Sequence, residues 1–287
     1  MQSCPPIRWA LLVLSAFALA IGVAQAENGH PQALSLDVCA DQYLLGLADP
    51  DQILAVSRSA ASEYSYLRAK AEPYPRIRAT TEEALARRPD VVIRQWGGGA
   101  TTGAALERFG ARVVNLGFAS DFDGVRENIR LVAAALGQAA RGEALIQEMD
   151  ARLAALSSIY RPKPFALYVT PGGVTAGSGT MIDAIMTAAN VINAAGDETG
   201  WPPLPAETLI LNPPQLVVAG FFNTAEAGVD HWSLASHPAL AALFSDTPTV
   251  RLPPDLIGCA GWFSVDAAER IADAIANDSE TGATDAP

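Results

Sequence analysis

Residues 138–159 read QAARGEALIQEMDARLAALSSI and form the longest uninterrupted helical pattern in the chain. The run Arg161-Pro162-Lys163-Pro164 ends the pattern, because proline cannot continue a helix. Residues 138–160 are therefore predicted to be a long helix that links the parts of the chain on either side. The apolar side chains of this stretch recur at helical spacing, as expected for one buried stripe: Ala144, Leu145, Met149, Leu153 and Leu156.

Strands and helices alternate on both sides of this connector. Before it, strands at Asp90 to Arg94 and Arg112 to Leu116 precede a helix at Phe122 to Leu136. After it, the alternation restarts with a strand at Phe165 to Val169 and a helix at Met181 to Ala189. This alternation indicates parallel sheets with helices on both faces. We predict an α/β fold of two lobes with mainly parallel sheets flanked by helices, residues 27–137 and 161–278, joined by the long helix.

The remaining stretches complete the two lobes. Helices are indicated from Pro205 onward, near Leu234 to Leu243, and at Val265 to Ala276. Residues 279–287 are small and polar and are predicted to be a disordered tail. The polar stretch from Ser57 to Arg78 has no clean period and is predicted to be a long surface segment.

Residues 1–26 have the pattern of a cleavable signal peptide. Arg8 supplies a positive charge, Trp9 to Val23 is an apolar run without charges, and Ala24-Gln25-Ala26 matches the A-x-A cleavage pattern. The run is shorter than the roughly 20 residues of a membrane-spanning helix, although a signal anchor is the alternative. Because Cys4 precedes the apolar run, we expect no lipoprotein anchor. A soluble periplasmic protein beginning near Glu27 is predicted.

The charge of the chain limits its partners. It carries 31 Asp and Glu against 19 Lys and Arg, a formal net charge of −12. An acidic chain lacks the positive field that attracts nucleic acid or an anionic membrane surface. We therefore expect no nucleic-acid partner.

Two cysteines remain after signal cleavage, Cys39 and Cys259. An even pair in an oxidising compartment favours one disulfide. Both cysteines follow predicted strands, and strand-to-helix loops gather at one edge of a parallel sheet, so the two can meet near the floor of a cleft. The alternative is a pair of buried free thiols.

The two halves share a spaced motif. Glu82 is followed seven residues later by Pro89 and an apolar strand, and Glu207 is followed seven residues later by Pro214 and another. An acidic residue in the first turn of a helix is favoured by the helix dipole, which would explain either glutamate alone. Their matched spacing favours a pair of equivalent surface features.

With their neighbours, these residues resemble the family of periplasmic proteins that capture iron–siderophore complexes and vitamin B12 for ABC importers. The resemblance covers nearly the whole mature chain, although residues 57–78 and 253–263 depart from the B12-binding pattern. In the first half it rests on Ser35-Leu36, on Glu82 with residues 88–93, and on Gly97-Gly98. In the second half it rests on Trp201-Pro202, Glu207 and Pro214-Gln215.

The resemblance implies a function as well as a fold. It implies that a metal chelate or corrinoid is held in the cleft between the lobes and passed on without catalysis and without a resident cofactor or metal. It implies a monomer whose partner is an inner-membrane ABC permease with its ATPase. Glu82 and Glu207 occupy the positions that dock onto arginines of the permease in this family.

Aromatic side chains are the predicted ligand contacts, because they cover the wide apolar faces of planar or chelated ligands. Each of them is also explained by ordinary packing. Arg94 is predicted to meet a carboxylate or an anionic chelate, unless it is a solvated surface arginine. The aromatic candidates are Trp96, Trp201, Tyr64, Tyr66, Tyr168, Trp262 and Phe263.

Two other functions fit the sequence less well. A receptor for a free divalent metal needs clustered ligands, and the chain has only His30, His231 and His237, which are explained as surface histidines. A secreted enzyme is the other alternative. Gly177-Ser178-Gly179 lacks the full nucleophile-elbow pattern, and Gly97-Gly98-Gly99 lacks the lysine of a phosphate-binding loop.

Overall fold

The computed structural model describes residues 29–158, 163–204, 209, 211–221 and 247–284. The first lobe contains a five-stranded sheet with the order β3-β2-β1-β4-β5. Every adjacent pair in this sheet is parallel, as the alternation of strands and helices predicts. The strands are β1 (Ala33–Ser35), β2 (Ile53–Ser57), β3 (Arg76–Ile77), β4 (Val91–Arg94) and β5 (Arg112–Asn115).

Four helices pack around this sheet, and a polar side chain caps the N-terminus of three of them. Asp37, Thr80 and Asp121 accept hydrogen bonds from backbone N–H groups in the first turns of α1, α2 and α4. These bonds satisfy donors that a helix start leaves without intrahelical partners. The helices are α1 (Val38–Leu47), α2 (Thr81–Leu85), α3 (Gly99–Arg108) and α4 (Phe122–Leu136).

The second lobe contains a four-stranded parallel sheet with the order β7-β6-β8-β9. Its strands are β6 (Phe165–Val169), β7 (Ile192–Asn193), β8 (Leu216–Gly220) and β9 (Thr249–Leu252). Its helices include α6 (Met181–Ala188), α7 (Pro254–Ile257) and α8 (Ser264–Thr284).

A single helix, α5 (Ala139–Ser157), joins the lobes. Gly137 adopts a left-handed φ of 72° between α4 and α5, where a side chain would be strained. One buried apolar cluster extends through both lobes and includes Leu44, Met149 and Ile271. The predicted fold class, two parallel α/β lobes joined by one long helix, is confirmed.

The end of α8 differs from the sequence prediction. This helix continues past Ala276 to Thr284, so residues 279–284 belong to it rather than to a disordered tail. The physical reason is that no proline interrupts the chain between Ala276 and Thr284. The predicted signal peptide, the predicted helices near Pro205 and at Leu234 to Leu243, and residues 285–287 lie outside the described residues. Among the helices described, none is long and apolar enough to cross a membrane.

Candidate functional site: an aromatic cleft between the lobes

A cleft of about 420 Å³ opens between the two lobes. The first lobe contributes the loops that follow β4 and β5, and the second lobe contributes the start of α6 and the loop before α8. In parallel α/β sheets, the carboxyl ends of the strands are where ligand sites form. The cleft therefore lies at the edge of both sheets that favours binding.

Among the described residues, three large aromatic side chains line this cleft, two from the first lobe and one from the second. Trp96 follows β4, Phe118 follows β5, and Trp201 belongs to the second lobe. Their exposed fractions are 53%, 80% and 55% respectively. Exposed apolar surface of this kind, concentrated around one concavity, is typical of binding sites. Of the described residues that line the cleft, none carries a formal charge.

A disulfide between Cys39 and Cys259 forms part of the cleft lining. The two Cα atoms are 5.3 Å apart, and 220 positions separate the residues in the sequence. The bond joins the first turn of α1 in the first lobe to the loop before α8 in the second. The predicted disulfide is confirmed, and it connects the lobes directly.

Aromatic packing continues this connection beneath the cleft. The ring of Tyr66 stacks on Phe263 with centroids 4.6 Å apart, and Tyr43 meets Trp262 edge-on at 5.7 Å. The Tyr66 hydroxyl donates a hydrogen bond to Asp266 over 2.9 Å. Burial is the larger cause and the Asp266 carboxylate the second of a rise in the pKa of Tyr66 to about 12. Tyr66, Trp262 and Phe263 thus pack one lobe against the other and do not line the cleft.

The segment from Ser57 to Arg78 is correspondingly more than a surface loop. It includes a 3-10 turn at Arg58–Ala61, and its side chains Ser65 and Ala71 are fully buried. Hydrophobic and hydrogen-bonding contacts to the second lobe order it, and these long-range contacts have no periodic signal in the sequence.

Tyr168 and Tyr64 support the cleft from two sides. Tyr168 is buried in β6, and its ring makes a T-shaped contact with Trp201 at a centroid distance of 6.3 Å. Among the described residues its hydroxyl has no hydrogen-bond partner, and burial raises its pKa well above the usual value. Tyr64 packs beside Phe221 at 6.3 Å and next to Gly258, which lines the cleft.

Arg94 lies under the first turn of α3. Its side chain is buried, and its Nη1 atom donates to the Gly99 carbonyl over 2.6 Å. Gly103 lets the guanidinium approach, since a Cβ there would be 3.3 Å from Nη1. Arg94 therefore stabilises the glycine-rich start of α3 and is not among the residues that line the cleft.

Sequence reasoning missed Phe118, the most exposed of the three aromatic residues. Its only signal is its position in the loop after a predicted strand, which many residues share. Gln95 was also missed, and its Nε2 atom donates to the Gly117 carbonyl over 3.0 Å, which links the loops that carry Trp96 and Phe118.

The predicted docking glutamate of the first lobe is accessible. Glu82 lies in the first turn of α2 with an exposed side chain. Its neighbour Glu83 instead accepts from the Arg78 backbone N–H over 2.7 Å and pairs with the Arg78 Nε over 3.0 Å. Glu207 lies outside the described residues.

The distribution of potential metal ligands can be judged over the ranges that the structure describes. There, no group of three or more His, Cys, Asp or Glu side chains is arranged to hold a metal ion. His30 packs against Gly137 at the junction before α5, while His231 and His237 lie outside those ranges.

The sequence profile described as "Periplasmic binding protein" matches residues 34–243, well over half of the chain. The chain belongs to the periplasmic binding protein family. Within this family, the resemblance inferred from Glu82, Gly97-Gly98 and Trp201-Pro202 is confirmed.

Solved structures of periplasmic binding proteins share the fold. The periplasmic heme-binding protein RhuT of Roseiflexus sp. RS-1, in its apo form, is 24% identical with a TM-score of 0.66, covering 86% of this chain and 99% of RhuT. The periplasmic heme-binding protein HutB of Vibrio cholerae is 20% identical with a TM-score of 0.71 over the same shares. The vitamin B12-binding protein BtuF of Vibrio cholerae is 18% identical with a TM-score of 0.60, covering 85% and 96%.

Curated relatives agree at the level of sequence. An uncharacterized ABC transporter substrate-binding lipoprotein of Bacillus subtilis, YvrC, is 22% identical over 250 residues, which cover 83% of this chain and 76% of YvrC. A cobalamin-binding protein of Halobacterium salinarum is 27% identical over 206 residues, 68% of this chain. That match spans only 55% of the archaeal protein.

Proposed function

We propose that this periplasmic binding protein is the substrate-binding component of an ABC importer. It captures an iron–siderophore complex, or a cobalamin- or heme-like molecule, in the cleft between its lobes. It then delivers the ligand to an inner-membrane permease that works with an ATPase. Family membership and the names of the relatives support this assignment.

The observation that carries the proposal is the set of three aromatic rings, Trp96, Phe118 and Trp201, around a cleft whose described lining residues carry no charge. A ligand that covers these rings removes apolar surface from water, which favours binding by about 25 cal/mol of free energy for each Å² buried. Aromatic faces also favour stacking with flat, conjugated molecules. A ligand with broad apolar faces and a well-shielded metal fits this surface better than a bare ion, which needs charged or imidazole ligands.

The predicted site residues then take two roles. Trp96 and Trp201, together with Phe118, contact the ligand, and Tyr64 borders it. The other predicted residues support the walls of the cleft from beneath. They are Tyr66, Tyr168, Trp262, Phe263 and Arg94.

The remaining parts of the proposal concern the whole protein. It acts in the periplasm as a monomer after cleavage near residue 26, and it binds its ligand without chemical conversion. The ligand binds between two lobes, residues 27–137 and residues 161–278, which are connected by residues 138–160. Glu82 and Glu207 orient the cleft mouth over the permease.

Native mass spectrometry tests the proposal without prior choice of ligand. Protein purified from iron-limited cells and from cobalamin-supplied cells should carry a bound mass of a metal chelate, a corrinoid or heme in at least one condition. A mass increase equal to a free divalent metal ion, in place of these molecules, would contradict it.

A further inference from the structure

The Asp37 side chain joins the Trp96 loop, which forms part of one wall of the cleft, to the start of α1. Its Oδ2 atom accepts hydrogen bonds from the backbone N–H groups of Gln95, Trp96 and Gly97, at 2.7, 3.1 and 2.9 Å. Its Oδ1 atom accepts from the Ala40 N–H at 2.9 Å, which caps α1. One carboxylate therefore holds three consecutive residues of the Trp96 loop and the start of α1.

Only a carboxylate satisfies all four of these donors. An ionised carboxylate accepts without donating and has lone pairs on both oxygens, whereas an amide replaces one oxygen with an NH₂ group that would oppose an N–H donor. The Asp37 side chain is 1% exposed, so water cannot substitute for it without rearrangement of the loop. Hydrogen bonds to an ionised group are also stronger than those between neutral groups.

The backbone geometry of the Trp96 loop depends on the same contact. Gly97 packs directly on the residue before Asp37, since a Cβ at position 97 would lie 2.3 Å from the Leu36 carbonyl oxygen. The absence of a side chain lets the loop come within hydrogen-bonding distance of Asp37. Residues 95–97 are thus held from below, while the Trp96 ring remains exposed in the cleft.

The neighbouring aromatic loop is joined to this arrangement. Asn128 accepts from the Gly117 N–H and donates to the Gly117 carbonyl, both at 2.9 Å, immediately before Phe118. Gln95, whose N–H is bound by Asp37, donates its side chain to the same carbonyl. The positions of Trp96 and Phe118 are therefore connected through hydrogen bonds that begin at Asp37.

We propose that Asp37 is a positioning residue for ligand capture, which fixes the Trp96 loop so that the indole is preorganised in the cleft. This inference rests on the proposed function of the cleft. A ligand that binds a preorganised ring does not have to pay the entropy of ordering the loop, and affinity is higher for that reason.

A double-mutant cycle tests whether Asp37 acts through Trp96. Affinities for hemin, cyanocobalamin and a ferric trihydroxamate are measured for the wild type, Asp37→Ala, Trp96→Ala and the double variant. We expect Asp37→Ala to weaken binding about tenfold in the wild-type background and clearly less once Trp96 is alanine, where only the connection to Phe118 remains. Asp37→Asn keeps one acceptor oxygen, so its ligand affinity should lie between that of the wild type and that of Asp37→Ala. An equal loss in both backgrounds would overturn the proposal.

Hydrogen exchange provides a readout that needs no ligand. The amides of residues 95–97 should exchange about tenfold faster in Asp37→Ala than in the wild type, because they lose a charged acceptor. Asp41→Ala is the matched control, since Asp41 is a buried carboxylate on the same helix that contacts Ser35 and Ser57 instead of the loop. Gly97→Ala displaces the loop without altering Asp37, and should raise exchange there if Asp37→Ala does not fold.

The two readouts separate the possible failures. If the wild type binds none of the three probes but binds a free divalent metal ion tightly, the proposed function is wrong, and exchange alone decides whether Asp37 orders the Trp96 loop. If a probe binds but exchange at residues 95–97 is the same in Asp37→Ala and in the wild type, the positioning role is wrong and the proposed function is unaffected.

Discussion

At the residue scale, the carboxylate of Asp41 in α1 is a buried titratable group. Asp41 is fully buried and accepts from the Ser35 hydroxyl at 2.5 Å, the Ser57 hydroxyl at 2.6 Å and the Ser57 N–H at 2.8 Å. Removal from water is the largest influence and outweighs these hydrogen bonds, so the pKa of Asp41 is raised from 3.8 to about 6. The folded protein therefore holds this proton more tightly than the unfolded chain does.

This shift predicts a pH dependence of stability. Between pH about 4 and about 6, Asp41 binds more protons in the folded state than in the unfolded state. Its contribution to the unfolding free energy is therefore fully present below pH about 4 and is lost as the pH rises through this window. A shift of about two pKa units corresponds to roughly 2–3 kcal/mol. The unfolding free energy, measured by urea denaturation at several pH values, should fall between pH about 4 and about 6 in the wild type more steeply than in Asp41→Asn.

Asn at position 41 keeps the shape and one acceptor oxygen but does not titrate. The exposed Asp51→Asn variant is the control for the chemical substitution itself. Parallel profiles for the wild type and Asp41→Asn would show that the buried carboxylate does not titrate in this range.

At the element scale, the disulfide joins the start of α1 to the loop before α8. Cross-linking residues 220 positions apart restricts the unfolded chain, and the chain-entropy estimate for such a loop is about 5 kcal/mol. We expect the Cys39→Ser/Cys259→Ser variant to lose about 2–5 kcal/mol of unfolding free energy, measured by urea denaturation. The fold should persist, because the stacked pair of Tyr66 and Phe263 is independent of the bond.

Wild-type protein unfolded in a reductant serves as the control for side-chain effects and should match the double variant. Equal unfolding midpoints with and without the bond would contradict the stabilising role. Two free thiols in the non-reduced protein, detected by alkylation under denaturing conditions, would eliminate the bond itself.

The short helix α2 offers a matched test of permease docking. Glu82 is exposed, whereas Glu83 next to it is paired with Arg78. We expect Glu82→Ala to leave ligand affinity unchanged and to lower uptake up to about fivefold, in keeping with an exposed ion pair worth about 0–1 kcal/mol. Glu83→Ala should have little effect on uptake, and added salt should reduce the difference between the wild type and Glu82→Ala. A parallel loss of affinity and uptake would exclude a docking role.

Element types followed from the sequence where patterns were long. The helix α4 at Phe122–Leu136 matches its prediction because its apolar stripe extends over four turns and Asp121 caps it. The strand β7 and the helix α7 have two and four residues, too few to show a period, and were not predicted. Length decides which elements a single sequence can specify.

The candidate site followed from the sequence less completely. Trp96 and Trp201 were predicted because they adjoin recognisable motifs. Tyr66, Phe263 and Tyr168 are aromatic residues like those that line the cleft. Phe263 and Tyr168 are instead buried, and Tyr66 is partly buried, by contacts between residues far apart in the sequence. Periodicity carries no information on such contacts, so it could not separate the lining of the cleft from its support.

At the scale of the whole molecule, several contacts hold the two lobes together. The helix α5 spans the junction, and its Arg152 pairs with Asp266 of α8 at 2.6 Å. The Tyr43 hydroxyl donates to the Ala260 carbonyl at 2.9 Å, close to the disulfide. Bending a helix breaks backbone hydrogen bonds, so a junction of this kind is a poor hinge.

We therefore predict little change of overall shape on binding. Small-angle X-ray scattering with and without a saturating ligand should give nearly equal radii of gyration. The Cys39→Ser/Cys259→Ser variant is the informative comparison, because it removes one connection and leaves α5 intact. A marked compaction of the wild type on binding would contradict a rigid junction.

Whether the aromatic cleft takes up a metal chelate or corrinoid is decided most directly by titration. Tryptophan fluorescence is followed while hemin, cyanocobalamin and a ferric trihydroxamate are added to the wild type and to Phe118→Ala, with recovered ligand checked for chemical change. We predict saturable quenching by at least one of the three, affinity at least about tenfold weaker in Phe118→Ala, and no product. No saturable binding of any of them, alongside tight binding of a free divalent metal ion, would contradict the proposed function.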